Sequence, residues 1–317
     1  MIRQNNGKAW VIFMKEMLKS TNDLRRRKSG MSLFKDVRSW ALFLPTAVIL
    51  YFFLIRPIII GFWYSLHDMQ GFTVKEFIGL DNYRTVLSDT QFPRVLMNTI
   101  SYVIWSFIIG FVPPIAIAVM LNEMVHFKGW FKFSTYFPCI VPMVAATMLW
   151  YYMYMPDGSG LLNTILLKIG IAPQGWLLNS AITIPLIVVM STWKGFGGTM
   201  VLYLAALQGV NQDLYEAAMI DGAGFLRRVF SITIPQIIGV VLLNAVRQII
   251  GVFQIMVEPM TMTGGGPDGA SMSLALWGYR TAFVEFNAGT SLAIGAITFF
   301  ILIILTIFYF FVERKTD

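Results

Sequence analysis

The chain has little charge and few residues that do chemistry. Asp, Glu, Lys and Arg make up 13% of its 317 residues, against 56% hydrophobic and 15% aromatic ones. Soluble domains carry about a quarter charged residues, so this balance excludes an ordinary globular protein and points to a membrane. There is one cysteine, Cys139, and there are two histidines, His67 and His126. A lone cysteine in an apolar run builds neither a disulfide framework nor a Cys/His metal site, and it reads as a small core residue. No carboxylate lies in the middle of a long apolar run. A membrane enzyme, or a carrier coupled to protons or ions, would place acids there. No Gly-x-x-x-x-Gly-Lys-Ser/Thr phosphate loop occurs anywhere, so the chain does not carry its own nucleotide site. No catalytic residue, metal site or cofactor is assigned to it. The first 38 residues show no short apolar core followed by a small-residue cleavage site, so no cleavable signal peptide is expected.

What the sequence does have is long apolar runs, at about 40–64, 98–121, 133–155, 182–208, 235–257 and 289–312. Each is long enough to span a bilayer, and hydrocarbon requires every backbone group to be paired within the segment, so each is predicted to be a helix. The fold class is therefore an all-α polytopic membrane protein with six transmembrane helices. Six crossings put both termini on one side. Of the 24 Lys and Arg residues, sixteen fall on that side: ten in the tail 1–38, plus Lys128, Lys132, Arg227, Arg228, Arg314 and Lys315. Five fall on the other side: Lys75, Arg84, Arg94, Lys168 and Arg280. The positive-inside rule then makes both termini cytoplasmic. The net charge of +7 is a topology signal rather than a nucleic-acid footprint, so no nucleic acid is expected as a partner and membrane lipid is. Around Trp10–Leu18 the tail reads equally as an amphipathic surface piece and as a cytoplasmic extension. Most of Trp63, Tyr64, Trp130, Tyr151, Tyr152, Tyr154 and Trp176 fit interfacial belts.

Several spans carry helix breakers: Pro113-Pro114 in the second, Pro138 and Pro142 in the third, and Gly195, Gly197 and Gly198 in the fourth. Such residues are tolerated where neighbouring helices or a cavity satisfy the freed backbone, so close packing and path lining both remain open for the glycines. Between the fourth and fifth spans lies a cytoplasmic loop, 209–234. Asp213 suits the start of a short helix there. Glu216, Ala217 and Ala218 continue it, with Asp221, and Gly222 permits a left-handed turn at its end. Phe225–Ile232 reads as a second short helix, and Pro235 suits the first turn of the fifth span. The small Ala217, Ala218, Gly222 and Ala223 allow a partner surface to approach closely, while Phe225, Val229 and Phe230 offer an apolar side.

The string Glu216-Ala217-Ala218-Met219-Ile220-Asp221-Gly222-Ala223, followed by Ile232-Thr233-Ile234-Pro235, resembles the coupling loop of ABC importer permeases. Five further segments support the likeness from about residue 38 onward: Phe77-Ile78-Gly79-Leu80-Asp81-Asn82-Tyr83-Arg84, Asn98-Thr99, Thr192-Trp193-Lys194-Gly195, Met262-Thr263-Gly264-Gly265-Gly266-Pro267 and Tyr279-Arg280-Thr281-Ala282-Phe283. Together they resemble the sugar-type permeases of type I ABC importers, in the maltose and glycerol-3-phosphate branch.

The resemblance implies a permease in the bacterial inner membrane that has no catalytic role of its own. It implies a second homologous permease subunit, two ABC ATPase subunits that hold ATP and magnesium, an extracytoplasmic solute-binding protein, and a carbohydrate substrate. Glycerol-3-phosphate or another small anion is the nearest alternative, and an ATP-independent secondary transporter is a more distant one. By the same resemblance, Glu216 to Ala218 and Asp221 to Ala223 couple to the ATPase. The substrate path is expected near Met143, Lys194, Gly195, Gly198, Gln248 and Gly251. The residues themselves add Asn244, which shares a helix face with Gln248, as well as Arg247 beside that face and Gln254. Lys194 and Arg247 are cations inside spans. As a pair they would favour an anionic substrate such as a uronic-acid oligosaccharide, whereas Trp193-Lys194-Gly195 also resembles permeases for neutral sugars, and Arg247 also suits pairing with the second permease or snorkelling.

Overall fold

A computed structural model describes residues 37–124 and 126–313. Nearly all of the basic tail, including Trp10–Leu18, lies outside the described residues, as do Arg314 and Lys315. Residues up to Ile60 and residues from Gly61 onward form two units. The first holds α1 (Val37–Leu50), a π-helical turn (Tyr51–Ile55) and the first five residues of α2 (Arg56–Tyr64). Its large apolar side chains are exposed, with Phe53 81% open, the pattern of a helix made to meet an apolar solvent on most of its surface.

In the second unit the only strands among the described residues are β1 (His67–Gln70) and β2 (Thr73–Phe77), a small antiparallel hairpin. Next come α3 (Asp81–Ser88), α4 (Gln91–Trp105), a π turn (Ser106–Phe111) and α5 (Val112–Glu123). Then follow α6 (Lys128–Ile140), α7 (Met143–Met153), α8 (Leu161–Lys168) and the long α9 (Thr183–Leu207). The chain continues through α10 (Gln212–Ile220), α11 (Phe225–Arg228), a π turn (Val229–Thr233), α12 (Ile234–Gln236) and α13 (Ile238–Phe253). It ends with α14 (Val257–Met262), α15 (Leu274–Phe283) and α16 (Ala288–Glu313).

Among the described residues four helices are long and apolar enough to cross a bilayer, and two bent pairs raise that to six if each pair is one span. The details depart from the sequence reading in four places. The second span starts at Gln91 rather than near residue 98 and runs unbroken through Pro113-Pro114. The third is two helices, α6 and α7, meeting at 96°. The fifth enters from the loop side as Phe225–Gln236 and bends by 73° at Ile237, so Pro235 lies before the bend rather than opening the main helix. Its main helix stops at Phe253. The glycines of the fourth span leave α9 continuous.

The prolines explain the π turns. A proline ring clashes with the carbonyl four residues back and offers it no N–H. Each described π turn is followed within two residues by proline: Pro57 after Tyr51–Ile55, Pro113-Pro114 after Ser106–Phe111, and Pro235 after Val229–Thr233. The wider turn moves the obstructed carbonyl aside, so the helix bulges instead of breaking.

Polar residues pin the connections. Asn98 donates through Nδ2 to the carbonyls of Gly269 and Met272 at 2.8 and 3.1 Å, and the Thr99 hydroxyl accepts from the Leu274 amide at 3.0 Å. Asn163 is fully buried. Its amide donates to the carbonyls of Met155, Asp157 and Gln174, and its oxygen accepts from the Gln174 amide and Trp176 Nε1. Tyr154, which the sequence placed in a belt, is 2% exposed and packs its ring near Trp150 and Trp176.

Candidate functional site: a cavity and an exposed loop helix

A cavity of about 290 Å³ opens where the π turn after α4 meets α9, α13 and α14. Ser106, Gly110, Ser191, Thr192, Gly195, Thr199 and Tyr203 contribute from one side, and Asn244, Arg247, Gln248, Gly251 and Glu258 from the other. Gln248 donates to the Ser106 carbonyl at 2.7 Å and lies 3.1 Å from its hydroxyl, so a cavity residue ties α13 to the start of the π turn. Asn244 is buried and donates to the Val240 carbonyl at 2.9 Å. The Tyr203 hydroxyl is buried and has no partner among the described residues. Glu258 lies beyond the end of α13, and burial pushes its carboxyl above the usual carboxylate range.

Of the nine residues proposed for the path, Gly195, Asn244, Arg247, Gln248 and Gly251 line this cavity. Arg247 belongs to the same wall as Asn244 and Gln248. Gly198 faces open space elsewhere, Met143 opens α7 and is exposed, and Gln254 follows the last turn of α13. Lys194 does not line the cavity, because its Nζ donates to the Cys139 carbonyl at 2.8 Å. Sequence reasoning missed Tyr203, Thr199 and Glu258. The first two look like ordinary residues of an apolar helix, and Glu258 sits one residue past the apolar run.

On α10, Asn211 caps the N-terminus by accepting from the Asp213 amide at 3.0 Å. At the other end Gly222 adopts φ +73°. Its amide reaches the Met219 carbonyl at 3.0 Å, and the Ala223 amide reaches the Ala218 carbonyl at 2.8 Å. This bond pair is the Schellman ending, which needs a left-handed residue at this position. Glu216, Ala217, Asp221 and Gly222 are exposed, and Ala218 and Ala223 half-buried. Beside them Ile220 is 86% and Leu226 67% exposed, apolar surface on a polar loop.

Tyr215, next to Glu216, points the other way. It is buried, and its hydroxyl lies 3.1 Å from that of Thr233 in the π turn. Arg228 adds an ion pair of 3.7 Å to Glu123 at the end of α5. Tyr215 shares one packed cluster with Tyr203, Leu204 and Leu207 of α9 and with Ile237 and Val241 around the bend. The exposed helix is thus joined through one apolar core to the wall of the cavity.

Residues 44–317 match the family described as binding-protein-dependent transport system inner membrane component. The chain belongs to this family. It is a permease component of an ABC transporter. It is 33% identical over 279 residues to the trehalose/maltose transport system permease protein MalF of Thermococcus litoralis, covering 87% of this chain and 93% of that one. It is 31% identical to the lactose transport system permease protein LacF of Rhizobium radiobacter, covering 81% and 87%. It is 30% identical to the sn-glycerol-3-phosphate transport system permease protein UgpA of Escherichia coli strain UTI89, covering 86% and 92%. Among solved structures, it resembles a chain of a bacterial ABC transporter involved in the import of the acidic polysaccharide alginate. The TM-score is 0.78 at 25% identity, over 89% of this chain and 98% of that chain.

Proposed function

We propose that this permease forms half of the path by which an oligosaccharide is imported. A second homologous permease would form the other half, two ATPase subunits that bind ATP and magnesium would drive the cycle, and an extracytoplasmic binding protein would deliver the sugar. Both termini and α10 face the cytoplasm in this reading, as the distribution of Lys and Arg supports. The observation that carries it is the connection from α10 to the cavity: a largely exposed Glu216–Ala223 surface, fastened through Tyr215 to the core that backs a cavity with hydroxyls and amides set among apolar side chains. An ATPase that shifts α10 would move the bend at Ile237 and so α13. The cavity offers neutral donors and acceptors from Ser, Thr, Tyr, Asn and Gln, which suit a polyhydroxylated ligand.

The names of the relatives support a carbohydrate. The glycerol-3-phosphate permeases among them and the alginate transporter keep an anion as the second reading, for which Arg247 is the recognising group in this chain. The test begins with a tagged pull-down in mild detergent. A second permease and an ATPase should co-purify, and Glu216→Lys or Gly222→Asp should release the ATPase. The complex is then reconstituted with its binding protein. ATP-driven uptake is measured with trehalose, arabinotriose, an alginate trisaccharide and sn-glycerol 3-phosphate. Uptake of a saccharide supports the reading, and uptake of glycerol phosphate alone replaces it. A solitary protein with no ATPase defeats it.

A further inference from the structure

Thr192-Trp193-Lys194-Gly195 lies mid-way along α9. Successive residues of a helix point about 100° apart, so four in a row address four directions. Here each meets a different neighbour. The Thr192 hydroxyl oxygen lies 2.8 Å from where a Cβ on Gly110 would be, so the helix passing through the π turn approaches α9 closely. Trp193 sets its ring 5.8 Å from that of Trp150 on α7. Gly195 opens onto the cavity.

Lys194 meets α6. Its ammonium donates to the carbonyl of Cys139 in the last turn of that helix. A helix leaves its last four carbonyls without intrahelical partners, and hydrocarbon supplies no water to take them. Near the bend the Val141 amide turns back to the Pro138 carbonyl at 3.3 Å, and Lys194 takes the next one. A cation there also faces the negative end of the helix dipole. One turn along, Gly197 presses against the α6 backbone: a Cβ there would lie 2.3 Å from the Thr135 carbonyl. α6 is therefore fastened to α9 at two points, and the angle of α9 about its own axis is set.

We propose that Lys194 is a positioning residue. It caps the broken end of α6 and fixes α9 so that Gly195 faces the cavity, and it does not bind substrate. Of Lys194 and Arg247, Arg247 alone then answers to substrate charge. This goes beyond the proposed function and keeps a readout that needs no substrate.

The test uses the complete complex in proteoliposomes, with Cys139→Ala as background, since the carbonyl is retained there. Spin labels at Phe133 on α6 and Val201 on α9 report the fastening. Lys194→Met should broaden the distance distribution and Lys194→Arg should restore it; an unchanged distribution for Met overturns the proposal. Uptake is measured with trehalose and with an alginate trisaccharide. Lys194→Met should lower the maximal rate for both by the same factor, roughly 10- to 100-fold, as for loss of one charged hydrogen bond. The half-saturating concentrations should hold. Arg247→Gln should change the ratio between the two sugars. A Lys194→Met shift confined to the acidic sugar would make Lys194 a substrate contact and refute the assignment. Absence of uptake of either sugar by the parent complex counts against the carbohydrate reading, while the distance measurement still decides the role of Lys194.

Discussion

Gly222 ends α10 in the left-handed region, at φ +73°, and nothing lies within 4 Å of where its Cβ would be. Two physical reasons compete for why glycine stands there: backbone conformation, or room for a partner. A set of substitutions separates them. The left-handed region costs an ordinary L-residue about 1–2 kcal/mol, a β-branched one more, and asparagine least. Avoiding the strain means giving up the 3.0 and 2.8 Å bonds of the last turn, each worth about 0.5–1.5 kcal/mol. The two routes cost about the same, so Gly222→Val should fray the end of α10. A cost of about 2 kcal/mol is roughly a 30-fold loss of the ordered end. Gly222→Ala should lose somewhat less, and Gly222→Asn only a few-fold. The open space means that none of these should unfold the permease itself. The assay is ATPase retention on the tagged complex together with ATP-driven uptake, beside the thermal midpoint of the isolated permease as a control. The conformational account ranks asparagine above alanine, and the room-for-partner account ranks alanine above asparagine. If alanine supports near-normal coupling while asparagine abolishes it, the left-handed turn is not the reason for the glycine.

Asn163→Ala should leave three carbonyls, one amide and one indole N–H without their shared partner, costing about 3 kcal/mol or more; hydrogen exchange should rise across residues 155–176 and less elsewhere. Gly197→Ala places a methyl against the Thr135–Tyr136 backbone, which has no side-chain end to move aside, and should lower the thermal midpoint of the complex by the equivalent of about 1–3 kcal/mol, whereas Gly251→Ala, with open space before it, should be nearly neutral for stability. Tyr203→Phe removes a buried hydroxyl that has no partner, so stability should hold or rise by up to about 1 kcal/mol while uptake reveals whether that hydroxyl finds a partner during transport. Tyr215→Phe should loosen α10 from the π turn by about 1 kcal/mol and lower uptake per ATP hydrolysed, with ATPase still bound, because the exposed face of α10 is unchanged.

Composition and local pattern were enough to specify part of this fold. Six long apolar runs can satisfy their backbones in hydrocarbon only as helices, so the helical class follows without any contact being known. The helix α10 was equally legible. Asp213 near its start and Gly222 at its end are local signals, and the bonds that realise them span five residues or fewer. Asn244, Gln248 and Gly251 share a face because helical spacing requires it.

Tertiary structure decided what depends on distant partners. The bends at Val141–Pro142 and Ile237 are set by what each helix packs against: Pro142 falls at a bend, whereas Pro113-Pro114 is absorbed in a π turn. No spacing rule shows that Lys194 reaches a carbonyl 55 positions away, or that Glu258 lines the same cavity as Arg247. The three glycines of α9 look alike in the sequence, yet Gly195 meets the cavity, Gly197 the backbone of α6 and Gly198 open space. A helix fixes the directions in which its residues point, and only the neighbours in three dimensions fix what lies along each direction.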